Sequence, residues 1–454
     1  MALGDEYDVL VVGGGPAGAP AAVQAARLGA RTLLVEKNGA LGGTTTVAGV
    51  ALPGLFHAWG RQVIAGIGWY MVRRSVELAG TELPDFSRWD LPHFKLQVPV
   101  NPAVYAAVVD ETVTSAGVHL LLHTMVGAVA WQGNHWDVTL CTKEGLVRTR
   151  AARILDCTGD ADVVALAGCR RLSNAERQPG TIMIRLGGYD LDALDLPALE
   201  RAREQAITGG TLRAEDMASH PIEKFLRSRG ENAIHVTGVG GGTSAARTAT
   251  ELAGRRTMMR VYAFLKAQPG LHDLRIDGWA VETGVRETYT IDGLDRITED
   301  DYVSGRLWDE ALCYSFYPVD VHRPEGDGID IRPLPHGTFP TIPRGALIPR
   351  ESGYLAVAGR AVSGDQAANS AYRVQASSMA TGQAAGALAA LSARAGEPMQ
   401  DVSIAEVRGA LLDSGAIVPG APGTPHSPTG PPEPSQATRL TPSPVAPALP
   451  RSAP

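Results

Sequence analysis

Cysteine is scarce in this sequence. The 454 residues include four, Cys141, Cys157, Cys169 and Cys313. No two of them form a Cys-x-x-Cys pair, the spacing on which many zinc and iron–sulfur sites depend. The spacing therefore predicts neither a disulfide framework nor a metal site, and free thiols are typical of a cytoplasmic protein.

An excess of basic residues and long apolar runs are also lacking. Lysine and arginine number 41 against 48 acidic residues, for a net charge of -7, whereas nucleic-acid-binding proteins usually present a dense basic face. No apolar run reaches the roughly 18 residues that a membrane helix needs, and Met1–Tyr7 is polar and acidic, unlike a signal peptide. We therefore expect neither a nucleic-acid nor a membrane partner; these patterns do not indicate an oligomeric state.

The remaining composition is that of a globular protein, with 44% hydrophobic residues and a length that predicts two domains. After Val418 the composition changes, because twelve of the chain's 31 prolines lie there among Ser, Thr, Ala and Gly. Such a segment cannot bury an apolar core. Residues 416–454 are therefore predicted to form a disordered tail, with a ligand for a proline-recognition module as the alternative.

Short apolar runs and helical patterns place the predicted elements. The run at 7–12 stops at glycine, residues 16–28 have helical character, and the run at 32–36 ends in an acid. Together they predict a strand–helix–strand unit with a right-handed crossover. Further strands are predicted at 118–122, 136–140, 152–156 and 354–358, and further helices at 243–267 and 374–394.

A glycine-rich turn follows the first predicted strand. Gly13, Gly15 and Gly18 form the pattern G-x-G-x-x-G between a strand and a helix, the context in which it binds dinucleotides. The glycines permit a tight turn, the approach of a pyrophosphate and close helix packing, and the helix N-terminus attracts phosphate. Glu36 ends the next strand, where an acid accepts hydrogen bonds from a ribose. At this point NAD and FAD are both possible ligands.

Several further segments occur in a characteristic order. They are Leu41–Thr46, Asp156–Asp160, Gly284–Thr288, Tyr317–His322, Tyr354–Arg360 and Arg373–Gly386. With the glycine-rich turn they resemble the glutathione-reductase-like flavoproteins, and more specifically the FAD-dependent oxidoreductase family that includes xanthan-lyase-associated proteins. The resemblance covers about residues 7–395. It implies FAD as cofactor and an α/β fold, a Rossmann-like FAD-binding domain with an inserted α+β substrate or cap domain.

The resemblance also implies which residues contact FAD. By position they are Gly13, Gly15, Pro16, Ala17 and Gly18 at the pyrophosphate; Glu36 and Lys37 at the adenosine ribose; Gly42, Gly43 and Thr44 near the flavin; Val126 at the adenine; Thr158 and Gly159 along the adenosine and phosphate path; Gly359 and Arg360 in a second flavin motif; Asp365 at the ribityl chain or phosphate; and Arg373, Gln375, Ala376 and Ser377 at the isoalloxazine ring. On the same basis, residues 1–165 and 345–415 are predicted to form the FAD-binding domain and 166–344 the substrate domain.

Four residues are candidates for the chemistry. His322 has an imidazole suited to accept a proton near neutral pH; a hydrogen-bonded structural histidine is the alternative. Arg286 and Glu287 would bind a substrate carboxylate or brace the cap domain as an ion pair. His57 lies in a glycine-rich loop that the resemblance places near the flavin, or is an incidental loop residue. Nothing in the sequence distinguishes covalent from non-covalent FAD.

The function that these patterns favour is an FAD-dependent dehydrogenase or oxidase. It would take a hydride from a C–OH, C–N or C–C bond of a small organic molecule, a secondary metabolite being one candidate. The alternatives are an NAD(P)H-driven flavin reductase or monooxygenase and a non-catalytic electron-transfer flavin subunit; a tRNA-modifying flavoprotein is disfavoured by the acidic charge. A second glycine-rich turn, Gly238–Thr243, lacks the third glycine and an acid-ended strand, so we do not expect it to bind NAD(P).

Overall fold

The computed structural model describes residues 6–217, 220–238, 240–324 and 328–426. Eleven α-helices occur in these ranges. They are α1 (Gly18–Arg27), α2 (Ile67–Ala79), α3 (Pro102–Ser115), α4 (Asp162–Leu166), α5 (Leu196–Thr208), α6 (Ile222–Arg227), α7 (Ser244–Lys266), α8 (Glu299–Val303), α9 (Gln366–Tyr372), α10 (Gln375–Ala395) and α11 (Ile404–Asp413).

The strands of the described ranges fall into one large sheet and several two-stranded ribbons. In chain order they are β1 (Glu6–Val12), β2 (Thr32–Val35), β3 (His57–Ala58), β4 (Arg61–Gln62), β5 (His119–Leu121), β6 (Met125–Trp131), β7 (Trp136–Thr142), β8 (Gly145–Asp156), β9 (Arg171–Leu172), β10 (Gly180–Thr181), β11 (Ile184–Gly187), β12 (His235–Val236), β13 (Arg275–Trp279), β14 (Thr290–Ile291), β15 (Ala311–Tyr314), β16 (Val319–His322), β17 (Ile329–Arg332), β18 (Thr341–Pro343) and β19 (Leu355–Val357).

The large sheet is parallel at its centre. Strands β5, β2, β1 and β8 lie side by side, and β19 pairs in parallel with the carboxyl-terminal end of β8. The first half of β8 pairs instead with β7 in an antiparallel ladder that β6 extends. Strands β1, β8 and β19 end at Val12, Asp156 and Val357, which lie in register. Because ligands bind at the carboxyl ends of parallel strands, the loops after these three residues form the expected binding edge.

Helices α1 and α10 pack against each other at backbone distance on one face of this sheet. A Cβ atom on Gly382 would lie 2.0 Å from the carbonyl oxygen of Ala17, and one on Gly386 would lie 2.2 Å from that of Ala21. Since both contacts advance by four residues in the same direction, the two helices run parallel. Their N-termini therefore point to the same edge of the sheet.

A second hydrophobic core lies apart from the one around the sheet. It is built by buried side chains between Ile182 and Leu274, from β11, β12, α5, α6 and α7. The following segment returns to the main core, where Ile291, Tyr302 and Ile348 are buried. The second core thus occupies the middle of the predicted substrate domain, 166–344, whose boundaries stay a prediction.

The predicted fold class, an α/β protein with a Rossmann-like parallel sheet and an inserted part, is confirmed. Each predicted strand and helix has a counterpart, although β8 is more than twice as long as the run predicted at 152–156. Residues 416–426, at the start of the predicted tail, pack on the body: Val418 is fully buried, and the carbonyls of Gly423 and Pro425 accept hydrogen bonds from Arg61 and Tyr314. The rest of the predicted tail lies outside the described residues.

Candidate functional site

The turn between β1 and α1 leaves open space in front of its second motif glycine. Gly13 has a φ of +97°, and a Cβ there would lie 2.6 Å from the carbonyl oxygen of Cys157, so this position requires glycine. A Cβ on Gly15, in contrast, would meet no atom closer than the Cα of Gly43 at 3.9 Å. The turn is therefore tight at its base and open at its outer side, as the approach of a pyrophosphate requires.

Among the described residues, two helices that begin at the carboxyl edge of the large sheet have no side chain that accepts a hydrogen bond from their first amides. These are α1, after Ala17, and α10, after Val374. In the other nine described helices a side chain takes this role: Asn101, Asp195, Thr243, Thr298, Asp365 and Ser403 at their own helices, and Gln383, Asp156 and Glu200 at α2, α4 and α6. Free amides and the helix dipole stabilise negative charge, so the donors at α1 and α10 suit the pyrophosphate and the electron-rich edge of a flavin.

Glu36 lies at the end of β2 and is only 5% exposed. Its Oε2 accepts a hydrogen bond from the amide of Gly14 at 2.7 Å, and its Oε1 one from the amide of Asn38 at 2.8 Å. Each carboxylate oxygen retains a lone pair, so a ribose hydroxyl can still bind. Lys37, predicted beside it, pairs with Glu282 at 2.8 Å and so connects β2 with the inserted part.

The loop after Gly42 closes over the glycine-rich turn. Gly43 packs on Gly15, since a Cβ on Gly43 would lie 2.9 Å from the Cα of Gly15. Next to Thr44, Thr45 donates to Oε1 of Gln375 at 2.5 Å, and Gln375 donates to the carbonyl of Val50 at 2.7 Å. The first turn of α10 is thus fixed to this loop through Gln375. Thr45 was not among the predicted residues, because an isolated threonine in a loop carries no pattern.

Arg360 holds together two of the predicted segments. Its Nε donates to the carbonyl of Gly159 at 2.8 Å, its Nη2 to Asp160 at 2.6 Å, and its Nη1 to the carbonyl of Val285. Thr158 folds onto Asp156, to which its hydroxyl donates at 2.6 Å. The side chain of Arg360 therefore fixes the loop after β8 against the segment before Arg286.

The remaining predicted cofactor residues differ in whether their side chains already form hydrogen bonds within the protein. Asp365 caps α9, because its Oδ1 accepts from the amide of Ala368 at 2.8 Å and its Oδ2 from the amide of Glu299 at 2.7 Å. Val126 is half-buried and lies in β6, the strand that follows β5. The other three, at or near the first turn of α10, are buried: Gly359, Ala376 and Ser377.

A second group of polar side chains surrounds Gln178, which is 1% exposed. We call it the Gln178 cluster, and it consists of Gln178, Arg286, Glu287, Asp320, His322 and Arg373. The Nε2 of Gln178 donates to Glu287 at 3.1 Å, while its Oε1 accepts from the amide of His322 and from Arg373, each at 3.1 Å. Gln178 thus brings together three segments that are far apart in the sequence.

His322 and Asp320 lie on β16 with their side chains in contact. The Nε2 of His322 is 3.5 Å from Oδ1 of Asp320, and the Nδ1 of His322 is buried without a described hydrogen-bond partner. Burial, and after it the charge of Arg286, lower the pKa of His322 to about 4. Burial alone would raise the pKa of Asp320, but the contact with His322 and the charges of Arg373 and Arg286 lower it. At neutral pH, then, a neutral imidazole faces a carboxylate.

Glu287 and Arg286 do not form the ion pair that was one of the two alternatives for them. Both carboxylate oxygens of Glu287 are occupied by neutral amides, from Asn174, Gln178 and Gln366. Arg286 turns away and donates to the carbonyl of Pro179 at 2.7 Å. Among the described residues, a cavity of about 180 Å³ lies beside Glu287, and Arg360 and Asp365 also line it. This cavity adjoins both groups of predicted residues.

His57 lies in a different environment. Its ring stacks on Phe86 with a centroid distance of 3.8 Å and contacts Trp69 edge-on at 5.8 Å. Burial lowers the pKa of His57 to about 4. None of its described contacts reaches the Gln178 cluster, so a catalytic role of His57 stays a prediction.

The second glycine-rich turn does not have the geometry of a dinucleotide site. The strand before it, β12, pairs antiparallel with β10 in a two-stranded ribbon. A Cβ on Gly241 would lie 2.1 Å from the Thr288 side chain, and one on Gly242 would lie 2.3 Å from the hydroxyl of Tyr289. These glycines therefore allow close packing against the segment that follows Glu287.

Among the described residues, no helix has both the length and the apolar character to cross a membrane. In the same ranges, no group of three or more His, Cys, Asp or Glu side chains is arranged to hold a metal ion.

Comparison with known proteins identifies the family. A family described as FAD dependent oxidoreductase matches residues 8–411, so the chain belongs to it, and its cofactor is FAD. A dihydrolipoyl dehydrogenase of Trypanosoma brucei brucei is 57% identical over 53 residues, 12% of this chain and 11% of that protein. The mitochondrial dihydrolipoyl dehydrogenase of Pisum sativum is 60% identical over 40 residues, 9% and 8% of the two chains. The chain thus spans about a tenth of the length of these curated relatives.

Among solved structures, a geranylgeranyl bacteriochlorophyll reductase-like protein from Thermoplasma acidophilum is 13% identical, with a TM-score of 0.42 over 90% of this chain and 83% of that one. The OxyS anhydrotetracycline hydroxylase from Streptomyces rimosus is 18% identical, with a TM-score of 0.30 over 40% and 38%. The family establishes an FAD-dependent oxidoreductase; it does not define the substrate or the reaction type.

Proposed function

We propose that this member of the FAD-dependent oxidoreductase family is a dehydrogenase or oxidase that takes a hydride from a small organic molecule. The bond oxidised would be a C–OH, C–N or C–C bond. FAD supplies the hydride acceptor when bound. The chain must then bind the substrate, exclude water and take up the proton that leaves with the hydride. Residues 1–165 and 345–415 would hold FAD, and 166–344 would provide most of the substrate side. The four free thiols favour a cytoplasmic location.

The proposed FAD position follows the open edge of the large sheet. The pyrophosphate would lie against Gly15 and the first amides of α1, with the adenosine ribose at Glu36. The isoalloxazine ring would lie at the first turn of α10, which Gln375 fixes to the loop after Gly43. Arg360 and Asp365 would position the surrounding loops through their own hydrogen bonds and would touch the cofactor less than the sequence suggested.

The observation that carries the proposal is the pair His322 and Asp320. A proton on Nε2 of His322 would point to the carboxylate of Asp320 at 3.5 Å, and Nδ1 would then be the free acceptor. With a pKa lowered to about 4 by burial first, the imidazole is uncharged at neutral pH and able to accept a proton. The nearby carboxylate stabilises the imidazolium that forms, as in other acid–base pairs.

An anaerobic visible spectrum of the holoprotein tests the proposal. Adding alcohols, amines and hydroxy or amino acids one at a time should bleach the flavin band with at least one class, while NADH and NADPH should leave the band oxidised. Rapid bleaching by NADH or NADPH would contradict the proposal and favour the reductase or monooxygenase alternative. A flavin that no organic donor reduces would favour the electron-transfer subunit.

A further inference from the structure

Among the described residues, no carboxylate forms a hydrogen bond or ion pair with the two arginines of the Gln178 cluster. Arg286 donates to the carbonyl of Pro179 at 2.7 Å, and Arg373 donates to Oε1 of Gln178 at 3.1 Å and to the carbonyl of Asp320 at 3.4 Å. In the described part of the chain, neither takes part in an ion pair within 4 Å. Enclosing cations without an anion is costly, because neutral acceptors replace only part of the lost hydration.

The same cluster contains polar atoms that no group of the protein satisfies. Nine buried side-chain nitrogen or oxygen atoms of the described residues have no hydrogen-bond partner. Three of the nine belong to this cluster: Nε of Arg373, Nδ1 of His322 and Oδ1 of Asp320, and of these only Oδ1 of Asp320 has a polar neighbour of opposite charge type, Nε2 of His322 at 3.5 Å. Buried polar atoms in folded proteins are almost always paired. Nε of Arg373 and Nδ1 of His322 therefore indicate a ligand that offers an acceptor to the guanidinium and a donor to the imidazole.

The charges of the cluster favour an anion as that ligand. The carboxylate of Glu287 is bound by three amides, and that of Asp320 lies against His322. The charge of Asp320 acts on both arginines, but among the described residues neither carboxylate forms an ion pair with them. Burial, and after it the charge of Arg373, lower the pKa of Arg286 to about 9. Because a guanidinium keeps its proton at neutral pH, Arg286 is a buried cation with a second cation, Arg373, nearby. A bound anion would relieve that repulsion.

We infer that the substrate carries a carboxylate, which Arg286 and Arg373 bind beside His322. The inference rests on the proposed function and adds the chemical class of the substrate. Guanidinium groups bind carboxylates through short, charge-assisted and often bidentate hydrogen bonds. For a hydroxy acid, the C–H bond would break with its electron pair passing as hydride to FAD, the hydroxyl proton would pass to Nδ1 of His322, and a C=O bond would form.

The carboxylate would also adjust the base. The charge of Arg286 is the second cause, after burial, that lowers the pKa of His322. An anion on Arg286 compensates that charge, and it thereby raises the pKa of His322 when substrate is present. His322 would be a weak base in the free enzyme and a stronger one in the complex, so binding and proton transfer are linked.

The test uses oxidised holoprotein and does not require turnover. Acetate, benzoate and succinate are compared with acetamide, benzamide and succinamide, and binding is followed by the visible spectrum of the flavin and by the melting temperature. We expect at least one carboxylate to bind at least about tenfold more tightly than its amide. Arg286→Met should abolish that preference and Arg286→Lys should retain part of it. Arg408→Met should leave it unchanged, since Arg408 also donates only to carbonyls, those of Ala311 and Asp309.

Circular dichroism shows whether each variant is folded, and the absorbance of bound flavin shows whether it retains FAD. If Arg286→Met does not retain FAD, Arg286→Lys is compared with wild type instead, and we expect it to show a weaker preference for the carboxylate over the amide. Carboxylates that bind no better than amides, or that bind an Arg286 variant as tightly as wild type, would overturn the inference. Carboxylate binding without reduction by any organic donor would support this site and contradict the proposed function. Reduction by an uncharged donor, at the same rate in Arg286→Met, would contradict this inference alone.

Discussion

Replacing Gly15 by alanine should separate folding from cofactor binding. The new Cβ would meet no protein atom closer than 3.9 Å, and Gly15 lies outside the left-handed region that only glycine favours. The apoprotein should therefore keep its stability or gain up to about 1 kcal/mol, since alanine restricts the unfolded chain. The methyl group would occupy the space that a pyrophosphate needs, so FAD affinity should fall by at least about tenfold, or ~1.4 kcal/mol.

Two measurements on the apoprotein check this prediction. Titration with FAD, followed by quenching of flavin fluorescence, gives the affinity, and urea unfolding without FAD gives the stability. Gly409→Ala is the matched control, because Gly409 lies in α11 with no atom within 4 Å of an added Cβ; it should stabilise the protein by up to ~1 kcal/mol and bind FAD normally. Wild-type FAD affinity in Gly15→Ala would refute the placement of the pyrophosphate, and a large loss of apoprotein stability would refute the open space.

Three further predictions follow from the same contacts. His322→Gln should slow anaerobic flavin reduction by an organic donor by about 10²–10⁴-fold with FAD binding retained. His57→Gln tests the other candidate histidine, and a loss there as large as in His322→Gln, or larger, would contradict the assignment of the base to His322. The native state holds His322 neutral down to about pH 4, whereas the unfolded chain protonates this histidine near pH 6.5. Because the unfolded state binds more protons between these values, the free energy of unfolding falls as the pH is lowered through this window, by roughly 3 kcal/mol from this group. Urea unfolding at pH 7 and pH 4.5 should therefore show a larger loss of stability in wild type than in His322→Gln, and an identical pH dependence of the two proteins would disprove this prediction. Asp365→Ala should cost about 1 kcal/mol of stability through loss of the α9 cap with FAD affinity unchanged, and a large loss of affinity at unchanged stability would instead make Asp365 a cofactor ligand.

The parts that the sequence predicted well are those whose signal is local. The turn at Gly13 lies between a continuous apolar run and a helix, and the Ala-rich pattern of α10 has no competing interpretation. Strand β8 was predicted at less than half its length because its first half is an exposed hairpin arm with alternating polar residues. Helices α2 and α3 were missed because glycines and prolines around them resemble loop sequence.

The sequence predicted residues of the candidate site only where they belong to a recognisable motif. Gln178 joins His322, Arg373 and Glu287, yet a single glutamine has no periodicity or spacing that would distinguish it. Arg286 and Glu287 were found together because they are neighbours in the chain, but their separation in space depends on partners more than 70 residues away in sequence. Arg373 was predicted as a flavin contact from its position before α10, which stays a prediction, and no pattern in the sequence indicated that its side chain contacts Gln178.

The parallel contact of α1 and α10 fixes the offset between the N-termini of the two helices. Gly382 meets the residue before α1, and α10 begins seven residues earlier, at Gln375. At 1.5 Å per residue, the first turn of α10 extends about 10 Å beyond the first turn of α1. The distance between the free amides of α1 and those of α10 is therefore fixed, because the backbone contact at the glycines prevents the two helices from sliding along each other. A ligand that contacts both sets of amides at once must therefore carry its phosphate and its electron-rich flavin edge at a separation that matches this offset.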